Sequence, residues 1–186
     1  MDTSHYWSSR PLAQLTDPEH HWLFLPGALT PRLKAMGAYS IEVVEQSKST
    51  LNLDEAQALN VPAASTGWVR EVVMRLDGEA CVTARSLTSI PALNGAWAEL
   101  NDYGGRPLAE ILYASEQTLR EPFQCALLSP GAPLATLSHR FAPQAKRLLA
   151  RRSRFTRNGS ALLVSECFLP AFWARIEYAS GLKSAS

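Results

Sequence analysis

The sequence has few cysteines, no long apolar run and almost no net charge, and each absence excludes a class of protein. Its three cysteines, Cys81, Cys125 and Cys167, form no CxxC pair, and their odd number favours reduced thiols in a cytoplasmic protein. No apolar stretch approaches the length of a membrane-spanning helix, and the first residues show no signal-peptide pattern. The net charge of +1 provides no broad basic surface, so a nucleic-acid partner is not expected.

Length and composition are those of a globular protein with one core. The chain has 186 residues, of which 46% are hydrophobic and 19% charged. We therefore expect one domain over residues 1–186, with a core from about 17 to 170 and a tail over 171–186. The sequence contains no GxSxG, P-loop, GxGxxG or HExxH motif. The adjacent His20 and His21 would point in different directions on a helix, so no metal site is predicted.

The most informative segment is RRSRFTRNGSALLVSECFLP, residues 151–170, which predicts two strands joined at Asn158-Gly159. Asn-Gly tolerates the positive φ angles that a two-residue hairpin turn needs. Because side chains alternate along a strand, Glu166 shares one face with Leu, Val and Phe side chains. A carboxylate in that setting needs a partner. The two-residue turn sets Arg151 opposite Glu166, and on the residues alone this ion pair is the favoured interpretation.

A second hairpin is predicted around Asp77-Gly78, between GWVREVVMRL and EACVTARSL. A regular two-residue turn places Arg70 directly opposite Arg85 on one largely apolar face. Like charges in that position destabilise a sheet unless anions lie between or above them. Two arginines suit a ligand with two carboxylates, since guanidinium binds carboxylate in bidentate geometry. Pairing with protein acids accounts for the pattern equally well. The candidate acids are Glu42, Glu45 and Glu166.

The other segments predict mostly antiparallel strands with peripheral helices, which is an α+β domain. Two short helices are expected near the N-terminus, one from an Asp17 cap toward Leu25 and one opening at Thr30-Pro31. They suit a mobile cover over a pocket better than a DNA-binding unit, because the second helix has few basic groups. The remaining expectations are a strand at 40–48, a polar connector at 54–67, helices at 92–101 and 107–113, a strand at 117–128 that Pro122 places at an edge or bulge, and an unassigned Pro- and Ala-rich stretch at 129–150.

Four stretches together resemble the chorismate lyase (chorismate pyruvate-lyase) family. They are DPEHHWLFLPGALTPRL, WVREVVMRLDGEACVTARSLTS, GGRPLAEILY and RRSRFTRNGSALLVSECFLP, and the resemblance covers about Asp17 to Pro170. It implies a single antiparallel sheet of about six strands, with helical flaps over an internal ligand pocket. It also implies conversion of chorismate to 4-hydroxybenzoate and pyruvate, the first committed step of ubiquinone biosynthesis, with no metal or organic cofactor.

The same resemblance implies roles for individual residues. Arg70 matches the arginine that binds the ring carboxylate, and Glu166 matches the acid that contacts the product hydroxyl, so these two are the expected catalytic residues. Leu108 matches a backbone amide contact to the ring carboxylate, and Leu29 matches an apolar contact from the flap. Arg85 matches an arginine near the pocket, and we expect it to hold the enolpyruvyl carboxylate. Whether Glu166 is a general base or only orients the substrate stays open.

Two features depart from the family pattern, namely a longer segment at 129–150 and a longer tail after Pro170. The alternative function is a non-catalytic domain that binds an aromatic acid, because the fold also resembles the effector-binding domain of some transcription regulators. The expected partners are chorismate and 4-hydroxybenzoate. No nucleic acid and no integral membrane segment are expected, and the protein is expected to be a monomer.

Overall fold

A single antiparallel sheet forms the centre of the protein, as the sequence predicts. The structure, a computed structural model, describes residues 7–184. The strands described are β1 (Tyr39–Thr50), β2 (Thr66–Leu76), β3 (Glu79–Ser89), β4 (Leu119–Arg120), β5 (Gln124–Leu127), β6 (Leu149–Arg157) and β7 (Ser160–Phe168). Their order is β1-β2-β3-β7-β6-β4, and β5 also pairs with β6. The sheet is six strands wide, because β4 and β5 follow each other along one edge of β6. The strand predicted at 117–128 is thus divided at Pro122, which cannot donate to the ladder.

Helices lie on both faces of this sheet, which confirms the α+β prediction. They are α1 (Asp17–Phe24), α2 (Leu29–Lys34), α3 (Leu53–Leu59), α4 (Ile90–Leu93), a short 3-10 helix (Ala98–Asp102), α5 (Ala109–Leu112), α6 (Pro133–Phe141) and α7 (Pro170–Ser184). The first two helices pack on one face, with Leu23, Leu29 and Leu33 in a core that includes Val72 and Met74. On the opposite face lie α3 and α6. No helix in the described part of the chain is long and apolar enough to cross a membrane.

Both predicted hairpin turns are present. Asp77 and Gly78 have φ angles of 51° and 83°, and Asn158 and Gly159 have φ angles of 48° and 75°. Positive φ at both central residues is the type I′ pattern, which matches the right-handed twist of the flanking strands. The pairing of β6 with β7 follows the predicted register. This hairpin therefore places Arg151 beside Glu166, as the sequence indicates.

The register of the other hairpin differs from the prediction. Arg75 pairs with Ala80, but Met74 pairs with Val82, so Cys81 is an extra residue in β3 and forms a bulge. A shift of one residue moves every following side chain to the other face of the sheet. The predicted pairing of Arg70 with Arg85 is wrong for this reason.

Helix boundaries differ from the prediction where capping depends on more than one residue. Thr16, not Asp17, caps α1 in a capping box with Glu19. The second helix begins at Leu29 with Ala28 as its N-cap, so Thr30-Pro31 lies inside its first turn. The connector predicted at 54–67 overlaps most of α3, which begins at Leu53 and whose capping box pairs Asn52 with Glu55. That Asn-x-x-Glu spacing was the available signal for a helix.

The tail predicted for 171–186 is instead largely the helix α7. Phe172 is fully buried and packs edge-on against Trp22, with ring centroids 5.0 Å apart. The core therefore continues beyond Pro170. The remaining ends of the predicted domain, 1–6 and 185–186, lie outside the described residues.

Candidate active site

An internal pocket lies between the sheet and residues 27–30, which lead from α1 into α2. It contains about 600 Å³ of space between atoms, part of it continuous with solvent. Its floor is formed by side chains of the sheet, and residues 27–30 and 107–113 contribute to its walls. Predominantly apolar walls with a few polar groups are typical of small-molecule sites. Of the predicted site residues, the lining includes Arg70, Glu166, Leu108 and Leu29.

Arg70 brings a buried positive charge to this pocket. Arg70 is only 2% exposed, and its Nη2 donates to the carbonyl oxygens of Gly104 and Arg106, both at 3.0 Å. Its Nε is buried without a hydrogen-bond partner. Burial lowers the pKa of the guanidinium, although Tyr103 and Tyr39 oppose the effect, and arginine still remains a cation. No described carboxylate forms a salt bridge with it. Arg70 can therefore accept an anionic ligand.

The loop that holds Arg70 is fixed by its own aromatic residue. The Tyr103 hydroxyl donates to the carbonyl of Pro107 at 3.0 Å, and the Arg106 guanidinium lies 4.3 Å from the Tyr103 ring centre. Leu108 follows as the N-cap of α5 and lines the pocket. Amide groups at the start of a helix have no acceptor within the helix, so they are available to a ligand. The loop thus brings two carbonyls to Arg70 and places Leu108 in the wall of the pocket.

Glu166 is paired, as the sequence predicts. The Nε of Arg151 donates to Oε2 of Glu166 at 2.6 Å across the β6–β7 hairpin. Arg151 is 1% exposed and also lines the pocket. Its guanidinium lies 4.3 Å from the ring centre of Phe123. The ion pair satisfies one oxygen of Glu166 and leaves the carboxylate in the wall of the pocket.

Arg85 lies outside the pocket, which corrects the prediction that it holds the enolpyruvyl carboxylate. The bulge in β3 turns it to the opposite face of the sheet. There its Nε donates to Glu55 and its Nη1 to Glu71, both at 2.7 Å. Burial lowers the pKa of Arg85, but hydrogen bonds to these two carboxylates outweigh the effect and raise it. Two protein acids neutralise this arginine, so it is not available to a ligand in the pocket.

The cover of the pocket is the short segment at the start of α2. The pocket is lined there by Gly27, Ala28, Leu29 and Thr30, and Leu29 is buried against the core. Gly27 has a φ of 86°, a left-handed conformation that glycine adopts without strain. The loop follows the C-terminus of α1, and we call residues 27–34 the flap.

Several pocket residues were not predicted. Ser86 lines the pocket from β3, where the regular register would have placed Arg85. Phe123 and Tyr113 contribute aromatic surface from loops whose packing has no local sequence signal. The longer segment 129–150 does not line this pocket and instead forms α6 on the opposite face. There the hydroxyl oxygen of Ser138 lies within hydrogen-bond distance, 2.7 Å, of the hydroxyl oxygen of Thr83 in β3.

The chain is similar over nearly its whole length to one family of known proteins. The family model described as chorismate lyase matches residues 5–178. A probable chorismate pyruvate-lyase 1 of Pseudomonas fluorescens (strain Pf0-1) is 84% identical over 185 residues, which cover 100% of both chains. A protein of the same name from Burkholderia pseudomallei (strain 1710b) is 52% identical over 94% of this chain and 95% of its own.

Solved structures with a similar fold have little sequence in common with this chain. The C-terminal domain of PhnF superposes with a TM-score of 0.56 at 16% identity, over 74% of this chain and 87% of that domain. A GntR-family transcriptional regulator from Bacillus cereus gives a TM-score of 0.51 at 7% identity, over 72% and 92% of the two chains. These structures establish a shared fold and no more, whereas the family match and the two relatives extend over nearly the whole sequence. This chain belongs to the chorismate lyase family.

Proposed function

We propose that this protein is a chorismate pyruvate-lyase, which converts chorismate to 4-hydroxybenzoate and pyruvate and so supplies ubiquinone biosynthesis. The observation that carries the proposal is Arg70, a buried cation without an acidic partner among residues 7–184, in the same pocket as Glu166. An aromatic acid with a hydroxyl opposite its carboxylate has one group for each of them. The names of the close relatives support the same activity.

The ring carboxylate binds Arg70 and the Leu108 amide, and the 4-hydroxyl meets Glu166. Strand β3 separates β2, which carries Arg70, from β7, which carries Glu166. Neighbouring strands lie about 4.8 Å apart, so the two backbones are about 10 Å apart and leave room for one ring between the side chains. Leu29 covers the apolar ring from the flap.

The reaction removes the proton at C4 and breaks the bond between C3 and the ether oxygen. The electron pair of the C4–H bond enters the ring, and the departing enolpyruvate takes a proton and becomes pyruvate. Aromatisation provides the driving force, so the protein mainly orients the substrate and stabilises the departing anion. C3 is next to C4, so the enolpyruvyl group lies at the Glu166 end, on the same side as Arg151. No metal or organic cofactor is required in this scheme.

Product inhibition follows from the same contacts. The interactions with Arg70, Leu108 and Glu166 are all made by groups that 4-hydroxybenzoate retains after pyruvate leaves. A closed pocket also slows the escape of a ring that it surrounds. We therefore propose that product release limits turnover. Separately, we propose that the protein acts as a monomer in the cytoplasm.

A second candidate function is a sensor or carrier that binds an aromatic acid without turnover. The observation in its favour is the fold, which is similar to that of the PhnF C-terminal domain. Such a protein would use the same pocket and the same arginine. Turnover alone separates the two functions.

The test is incubation of chelator-treated protein with chorismate, followed by chromatography of the products. Equimolar 4-hydroxybenzoate and pyruvate are expected, and Arg70→Ala should lower kcat/KM by at least about thirtyfold, because a charged contact of this kind contributes about 2–5 kcal/mol. Arg75→Ala is the matched control, since Arg75 lies on the same strand and pairs with Glu42 at the surface. Tight binding of 4-hydroxybenzoate without turnover would establish the sensor instead.

A further inference from the structure

The guanidinium of Arg151 connects two parts of the pocket that are far apart in the sequence. Its Nε donates to Glu166 at 2.6 Å. Its Nη1 donates to the carbonyl oxygens of Trp22 and Leu25, both at 3.1 Å. These carbonyls belong to the last turn and the C-cap of α1, just before the flap. One side chain therefore contacts both the proposed catalytic acid and the base of the segment that covers it.

The contact with α1 has a cause in the sequence. In a longer helix the carbonyl of Trp22 would accept a hydrogen bond from residue 26, but residue 26 is Pro26, which has no N–H. The carbonyls at the end of a helix need other donors, and they favour a positive charge. Arg151 supplies both.

Arg151 also has little alternative to these partners. It is 1% exposed, so water cannot replace a lost contact unless the cover moves. Glu166 is the acid with which it forms a salt bridge, and a buried charge without its counter-ion is strongly destabilising. A change at Glu166 therefore also disturbs the contacts that Arg151 makes with the end of α1, at the base of the flap.

We propose that Arg151 is a positioning residue that couples the placement of Glu166 to closure of the flap. It orients the carboxylate toward the ligand while it fixes the end of α1, so that the flap, which begins at Gly27, moves as the opening element. Loss of the carboxylate leaves a buried cation that is hydrated only when the cover opens. This inference rests on the proposed function for the catalytic role of Glu166 and concerns how that residue is held.

The first experiment measures amide hydrogen exchange in peptides covering residues 27–36, without ligand and with 4-hydroxybenzoate. Residue 166 lies outside the flap, yet Glu166→Gln should speed amide exchange within the flap by about tenfold or more, because Arg151 loses its counter-ion. Arg151→Lys should do the same, since lysine donates from a single nitrogen and cannot reproduce the geometry in which two guanidinium nitrogens reach Glu166 and the carbonyls of α1. The double variant should exchange no faster than Arg151→Lys alone, because both changes act through one residue.

Arg154→Lys is the control, because Arg154 is on the same strand and pairs with Glu121 at the surface. It should leave flap exchange unchanged. Unaltered exchange in Glu166→Gln would overturn the inference, and this variant decides the matter even if Arg151→Lys does not fold.

A kinetic measurement adds a readout that a purely structural role would not move. In Arg151→Lys, which keeps the Glu166 carboxylate that contacts the ligand, 4-hydroxybenzoate should dissociate at least about tenfold faster than from the unsubstituted protein, in proportion to the increase in exchange. None of these measurements needs turnover, so absence of lyase activity would contradict the proposed function and leave the coupling testable. Faster exchange without faster dissociation would also contradict the coupling.

Discussion

At the scale of the residue, the buried arginines Arg70, Arg85 and Arg151 differ in what neutralises them. Arg85 forms ion pairs with two acids, Arg151 forms one with Glu166, and Arg70 has only carbonyl partners in the described part of the chain. A buried guanidinium that is already compensated has nothing to gain from a ligand anion, whereas an uncompensated one does. The neutralising partner, rather than the residue type, thus distinguishes a structural arginine from a ligand-binding one.

The correction at Arg85 leads to a prediction. Arg85→Ala should lower the free energy of unfolding by about 3–5 kcal/mol, because it leaves Glu55 and Glu71 buried without their cation. Affinity for 4-hydroxybenzoate should stay within about twofold, since Arg85 does not line the pocket. Urea unfolding and a binding titration measure the two effects.

The comparison variant is Arg175→Ala, which removes two exposed ion pairs and should cost about 1 kcal/mol or less. A large loss of affinity in Arg85→Ala with little loss of stability would show instead that Arg85 binds the ligand.

At the scale of the element, the last helix is part of the core although the sequence suggested a tail. One face of α7 carries Phe172, which packs against Phe168 of β7 with ring centroids 4.8 Å apart. The same ring meets Trp22 of α1. Through Phe172, α7 therefore packs against both β7 and α1.

This packing predicts a stability difference within one helix. Phe172→Ala should destabilise the protein by about 3–5 kcal/mol, because it deletes a fully buried ring. Tyr178→Ala, at a position 72% exposed, should change stability by about 0.5 kcal/mol or less. Thermal or urea unfolding of both variants measures the difference. Equal effects would mean that α7 does not pack on the core.

At the scale of the whole molecule, the sheet divides two kinds of chemistry. The face under α1 and α2 holds the pocket with Arg70 and Glu166. The opposite face holds ion pairs that attach α3 to β3 and to β6. On that second face Arg152 of β6 donates to Asp54 at 2.7 Å and lies 4.5 Å from the ring centre of Trp7. Charges on this side stabilise the fold, while the charges on the pocket side are left partly available for a ligand.

The cysteines report on the integrity of this whole arrangement. All three are free and buried. Burial raises the pKa of each thiol, and it raises that of Cys167 to about 12 although Ser138 and Thr83 oppose the shift. Since the thiolate is the reactive form, a disulfide-exchange reagent at pH 8 should label none of them in the folded protein and all three after unfolding. Rapid labelling of the folded protein would show that the core opens far more readily than this packing allows.

The sequence by itself determined the features that depend on near neighbours. Asp-Gly and Asn-Gly specified both type I′ turns, and the second turn specified the pairing of Arg151 with Glu166, because register in a hairpin follows from its loop. The four family stretches specified the α+β fold and the chorismate lyase family, which the family match confirms. The expected roles of Arg70, Leu108, Leu29 and Glu166 stay predictions, and all four residues line the pocket.

Tertiary structure decided what depends on residues distant in the chain. The bulge at Cys81 turned Arg85 away from Arg70, and no local pattern announces a bulge of this kind. Pro26 removes a hydrogen-bond donor from the end of α1, which the sequence shows, but the replacement is Arg151, 129 residues after Trp22. A local sequence can leave a backbone group without a partner, but only the packing of the whole chain selects the side chain that satisfies it.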